Sequence, residues 1–92
     1  MTPQRAEEIA LAGLRWLAGN DDLFHVFSGA SGLDVGGIRA QAENRHFLAS
    51  VLEFITMDDA WVMEFCDAEG LKYDVPLTAL RTLPGAEAVH WT

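Results

Sequence analysis

Apolar residues return every three or four positions along this chain, and no segment alternates at a period of two for long. That pitch places them on one face of successive α-helices rather than on the face of a sheet. The first stretch, residues 3–18, puts Ala6, Ile9, Ala10, Gly13, Leu14 and Leu17 on one side. Trp16 lies at the edge of that face, and Gln4, Glu8 and Arg15 lie opposite. Thr2 can cap the helix, and Pro3 suits its first position, where a missing N–H costs nothing. Gly19 and Asn20 should end it.

A short aromatic helix is expected at 22–28, capped by Asp21 and carrying Leu23, Phe24, Val26 and Phe27. Gly32 is placed to turn left-handed and fold Leu33 back onto Phe27, the apolar contact of a Schellman stop. Asp34 caps a third helix, 35–42, with Gly36 and Gly37 in its first turn. Each of these costs up to ~1 kcal/mol relative to alanine, which makes this the weakest helix.

Residues 45–57, capped by Asn44, are apolar over more than half of their circumference. Phe47, Leu48, Val51, Leu52, Phe54 and Ile55 leave only His46, Ser50 and Glu53 as a polar stripe. Such a helix belongs at the centre of a fold. Asp58 caps a fifth helix, 59–68, with Trp61, Val62, Phe65 and Cys66 inward, and Gly70 with Leu71 repeats the glycine stop. Asp74 caps the last, 75–83, with Pro76 in its first turn and Leu77, Leu80 and Leu83 inward. Pro84 and Gly85 close it.

The expected fold is all-α: a compact orthogonal bundle of five to six helices around 45–57, with one domain over 1–85 and a tail over 86–92. A faint internal repeat runs through it. Asp21, Asp22, Gly32, Leu33, Asp34, Val35, Ile38 and Arg39 correspond to Asp58, Asp59, Gly70, Leu71, Asp74, Val75, Leu80 and Arg81.

Composition narrows the function classes. Ninety-two residues, half of them hydrophobic, suffice for one core and not for two. The net charge is −8, and Arg5, Arg15, Arg39, Arg45, Lys72 and Arg81 are scattered along the chain. Phosphate backbones and anionic bilayers repel such a surface, so neither nucleic acid nor membrane is an expected partner. No apolar run approaches the ~20 residues that span a bilayer. Cys66 is the single cysteine, which excludes an internal disulfide and a cysteine-based zinc site. With no basic leader before the short apolar stretch 9–14, the expected location is the cytoplasm.

Candidate chemistry is sparse. Ser28, Gly29, Ala30, Ser31 and Gly32 resemble a phosphate cradle, but Leu33 and Asp34 stand where a P-loop needs Lys and Ser or Thr. The segment reads as a helix stop and cap. His46 has Ser50 at i+4 and Glu53 at i+7, and His25 has Gly29 at i+4, so neither forms a chelating pair within its helix. Cys66 falls late in its helix among Glu64, Asp67 and Glu69, where the thiol is favoured over the thiolate. The pairs Asp21 with Asp22 and Asp58 with Asp59 open helices, where acids complement the dipole. Arg39 and Arg81 follow the two glycine stops, and pairing with Asp58, Asp59 or Glu53 is expected; an anionic partner or ligand is the alternative. Trp16 serves either to fill the core or, at the edge of its apolar arc, to anchor an interface.

Gly32, Leu33 and Asp34 with Ile38 and Arg39, then Phe47, Leu48, Val51, Leu52, Glu53 and Phe54, carry a resemblance. So do Gly70 and Leu71, and the closing Leu80, Arg81, Leu83, Pro84 and Gly85. In these residues the chain resembles the DUF3572 family of alphaproteobacterial proteins, a family of unknown function and similar length. The resemblance implies a helical fold in the cytoplasm, and it brings no activity and no catalytic residues.

The reading that results is a non-catalytic protein–protein interaction module, with a homodimer as one form of it. It has no expected catalytic, cofactor-binding or metal-ligating residues. Its candidate contacts are Trp16, Arg39, Arg81, His46 and Glu53. The alternative is a small-molecule or metal-binding domain using the polar stripe on 45–57 or the pair Arg39 and Arg81.

Overall fold

The computed structural model describes residues 1–83 and is helical, with no strand among the described residues. Its elements are α1 (Pro3–Ala18), α2 (Asp21–Ser31), α3 (Val35–Ala40), α4 (Arg45–Thr56), α5 (Asp59–Glu69) and α6 (Val75–Thr82). The expected tail at 86–92, with His90 and Trp91, lies outside the described residues, as do Pro84 and Gly85.

The apolar helix α4 occupies the centre, as its wide apolar face requires. Phe47, Leu48, Ala49, Val51, Leu52, Phe54 and Ile55 are all buried. Helices α1 and α6 pack against α4 and against each other, α2 leans on α1, and α5 leans on α4 and α1. Gly13 explains how α1 comes so near. A Cβ there would stand 2.9 Å from the Ile55 Cδ1, so the glycine removes the one atom that would hold the two helices apart. Phe27 reaches from α2 into the same core, edge-on to Phe47 at 5.9 Å and to Phe54 at 5.1 Å. Phe54 in turn stacks on Trp61 at 5.0 Å, tying α5 to the centre. Fully burying side chains of this size contributes about 1.5–3 kcal/mol each, so the aromatic chain from α2 through α4 to α5 adds substantially to cohesion beside the buried Leu17, Leu52 and Ile55.

Caps follow the sequence closely at four sites, one of them Asp34, which accepts from the Gly37 N–H at 2.8 Å. The Thr2 Oγ1 accepts from the Arg5 N–H at 3.1 Å, the Asn44 Oδ1 from the His46 N–H at 2.9 Å, and the Asp58 Oδ1 from the Ala60 N–H at 2.8 Å. Both glycine stops are left-handed, Gly32 with φ 74° and Gly70 with φ 68°. At Gly70 the Leu71 N–H returns to the Cys66 carbonyl at 2.9 Å, the long bond of a Schellman motif. Gly32 closes differently from the expected Schellman form. Its own N–H bonds the Ser28 carbonyl at 3.0 Å, while the Leu33 N–H goes to the Ser31 Oγ at 3.3 Å.

The main boundary departures from the sequence reading are at α2 and α3; α4, α5 and α6 end within one residue of it. Helix α2 starts at Asp21 and runs to Ser31, beyond the expected 22–28. Asn20 is its cap in place of Asp21, accepting from the Leu23 N–H at 3.2 Å. Its far end extends because the Ser28 and Ser31 hydroxyls bond carbonyls of that same end, those of Leu33 and Ser28, leaving Gly32 as the true stop. Helix α3 ends at Ala40 instead of Ala42, Gln41 closing it onto the Gly37 and Ile38 carbonyls.

At α6, Asp74 makes no side-chain cap and itself lies in the helical region. The expected inward Leu77 is 41% exposed, while Pro76, Ala79 and Leu83 are buried and Leu80 is half-buried. The buried set follows i, i+3, i+4, i+7 from Pro76, and Leu77 falls about 100° off that stripe.

Candidate functional site

The five candidate contacts do not converge. Trp16 lies half-buried on α1 with its ring 5.7 Å from that of Phe65, so it fills the seam between α1 and α5. His46 is exposed in the first turn of α4, and Glu53 is half-buried further along the same helix. Ser50, between them, spends its hydroxyl on the Phe47 carbonyl at 2.6 Å. Among the described residues no three His, Cys, Asp or Glu side chains lie close enough together to hold a metal ion.

Arg39 and Arg81 are both exposed, each in the last turn of its helix, where a cation complements the dipole. The expected pairing with Asp58, Asp59 or Glu53 is not formed. Among the described residues the ion pairs are Arg5 with Glu8 and Arg45 with Glu7. An exposed pair gains little over two hydrated ions, so nothing draws Arg39 or Arg81 across the surface to a distant acid.

The nucleophile candidate is inert by position. Cys66 is buried, with its thiol 3.4 Å from the Lys72 carbonyl. Burial pushes its pKa up from the ordinary 9.0, and the charges of Asp67 and Asp74 push it further.

Among the cavities formed by described residues, three differ in character. The first, about 340 Å³, runs along α1 past Arg5, Glu8, Ile9, Ala12 and Arg15 to Glu69 and Leu71. Arg5 is already held by Glu8 at 3.1 Å, and ten residues of helix, roughly 15 Å, separate Arg5 from Arg15. The second, about 360 Å³, lies over His25, Ser28, Gly29, Gly32, Leu33 and Asp34. It covers the segment that resembled a phosphate cradle, and residues 28–31 turn out to be helical. The Asp34 carboxylate caps the Gly37 N–H at 2.8 Å, which leaves a negative charge where a phosphate would sit.

The third cavity is an apolar groove of about 210 Å³ between α1, α2 and α3, lined by Leu14, Ala18, Phe24, Val35, Ile38, Ala42 and Arg39. Val35 stands 56% exposed at its border. Here one of the five candidates, Arg39, joins apolar residues of two other helices. Val35, Ile38, Arg39 and Ala42 share one face at helical spacing, but Leu14 and Ala18 of α1 and Phe24 of α2 meet them only in the assembled fold.

The described residues form an all-helical globule of six helices, with an apolar groove beside Arg39. A family model described as "Protein of unknown function (DUF3572)" matches residues 3–86, and the chain belongs to that family. No curated protein and no solved structure matches it. No described helix is long and apolar enough to cross a membrane.

Proposed function

We propose that this chain is a non-catalytic protein–protein interaction module that docks a partner on the groove between α1, α2 and α3. The observation that carries the reading is the juxtaposition of an apolar lining with the Arg39 guanidinium, which has no ion-pair partner among the described residues. Apolar anchors with a charged residue at the rim are the usual make-up of a docking hot spot. Of the two roles weighed for Trp16, its contact with Phe65 favours core filling, and the groove supplies the apolar surface for docking.

The test compares captured proteins from the native host for the parent chain, Val35→Glu and Arg39→Glu. Both positions are exposed, so the fold should survive, and circular dichroism checks that it does. The same partner should disappear from both variants. If each variant keeps the full parental set, the groove is not where this protein binds.

A further inference from the structure

We propose that the groove receives one bulky apolar side chain of a partner polypeptide, with a carboxylate within a helical turn of that side chain meeting Arg39. This rests on the interaction reading above and adds the chemistry of the occupant. Three observations lead to it.

Size comes first. Sites for small molecules and cofactors enclose about 300–1,000 Å³. The groove offers about 210 Å³. An apolar cavity of about 150 Å³ takes a benzene ring, so this space suits a single leucine-, methionine- or phenylalanine-sized group. A side chain delivered by a polypeptide fits that description better than a whole metabolite.

Charge comes second. Among the described residues Arg39 is the only ionisable one lining the groove, and its planar fork is suited to two parallel bonds with a carboxylate. At longer range the chain carries a net charge of −8, which repels a partner that is acidic throughout. The two requirements together select a neutral or basic segment with a carboxylate in one register. They also disfavour a second copy of this chain, which brings the same −8 with it.

The third observation is the wall that would have to adjust. Helix α3 supplies Val35, Ile38 and Arg39, yet it has no extensive contact with any other helix among the described residues. Its two adjacent glycines, Gly36 and Gly37, weaken it further. Such a wall can shift to close on an inserted side chain at little cost, since Ile38 is the one residue of α3 buried in the core.

The experiment is a selection from a random peptide display library on the parent chain and in parallel on Arg39→Glu. Amide chemical shifts with the best synthetic peptide then locate its site. Parent selections should enrich a large apolar residue with Asp or Glu within four positions. The best peptide should lose roughly tenfold in affinity on Arg39→Glu and recover when its acid is changed to Lys. Shifts should centre on Leu14, Phe24 and Ile38. Peptides without an acid, shifts elsewhere, or no enrichment would overturn the proposed occupant. Groove-dependent capture of a host protein could still stand in that case, so the two readings fail separately. Concentration-dependent dimerisation abolished by Arg39→Glu would identify a second copy as the occupant and overturn the proposal too. Groove shifts on removing residues 84–92 would do the same in favour of the chain's own segment.

Discussion

Cys66 has the surroundings of a thiol kept protonated. Its burial, and then the nearby Asp67 and Asp74 carboxylates, raise its pKa above the ordinary 9.0 in the folded chain alone. As pH climbs past the ordinary value, the unfolded chain gives up this proton while the folded chain still holds it. The folded state then binds more protons than the unfolded one, and stability falls with pH until the raised pKa is passed. The loss should begin near pH 9 and be absent at neutral pH. Tyr73 adds to the same trend, since its hydroxyl donates to the Asp67 carboxylate at 2.8 Å and that bond raises its pKa. Thermal unfolding midpoints from pH 7 to 10 should therefore drop less steeply for Cys66→Ala than for the parent, with Tyr73 common to both. Identical slopes would mean that the thiol contributes nothing. Gly70 offers a second test at this scale. Its φ of 68° is strained for any side chain, and an added Cβ would meet nothing within 4 Å. The cost of Gly70→Ala is then purely conformational, about 1–2 kcal/mol in urea unfolding.

Among the elements, α3 and α4 lie at opposite ends of a stability range. Helix α4 buries seven of its residues, whereas α3 is six residues long and buries only Ile38. Hydrogen exchange should find the amides of α3 open well before those of α4, because local opening there exposes little apolar surface. Equal protection would contradict both this ranking and the adjustable wall proposed for the groove. The weakness of α3 was legible from Gly36 and Gly37, and the centrality of α4 from its apolar circumference, because each is written within a few consecutive residues. The two left-handed stops were legible for the same reason. The extension of α2 to Ser31 was not, since it depends on serine hydroxyls bonding carbonyls at the helix end instead of ending the helix. Nor was the inward face of α6. Three leucines suggested one stripe, but contact with α1 and α4 selected the stripe of Pro76, Ala79 and Leu83 instead. The groove itself was the least legible feature. Arg39 stood out locally as a cation in an acidic chain, but its neighbours Leu14 and Phe24 meet it only once three helices are assembled.

At the scale of the whole molecule, the net charge of −8 acts against the compact state. The described part of the chain measures 30 × 25 × 22 Å, with a radius of gyration of 11.8 Å. At 0.01 M salt the Debye length is about 30 Å, so every charge feels nearly every other. At 0.1 M it shortens to about 10 Å, and only near neighbours still interact. An unfolded chain of this length expands to a radius of gyration of roughly 30 Å, which relieves the repulsion that folding imposes. Salt should therefore favour the folded state. The opposing contribution is small, because the ion pairs among the described residues, Arg5 with Glu8 and Arg45 with Glu7, are on the surface. The thermal midpoint should rise by several degrees between 0.01 and 0.15 M sodium chloride, given about 4–8 °C per kcal/mol for a domain of this size. Most of the gain should come below 0.1 M, where the screening length crosses the dimensions of the molecule. A midpoint that fell with added salt would mean that local attractions outweigh the net repulsion. The long-range field would then no longer argue against an acidic partner or a second copy of the chain at the groove.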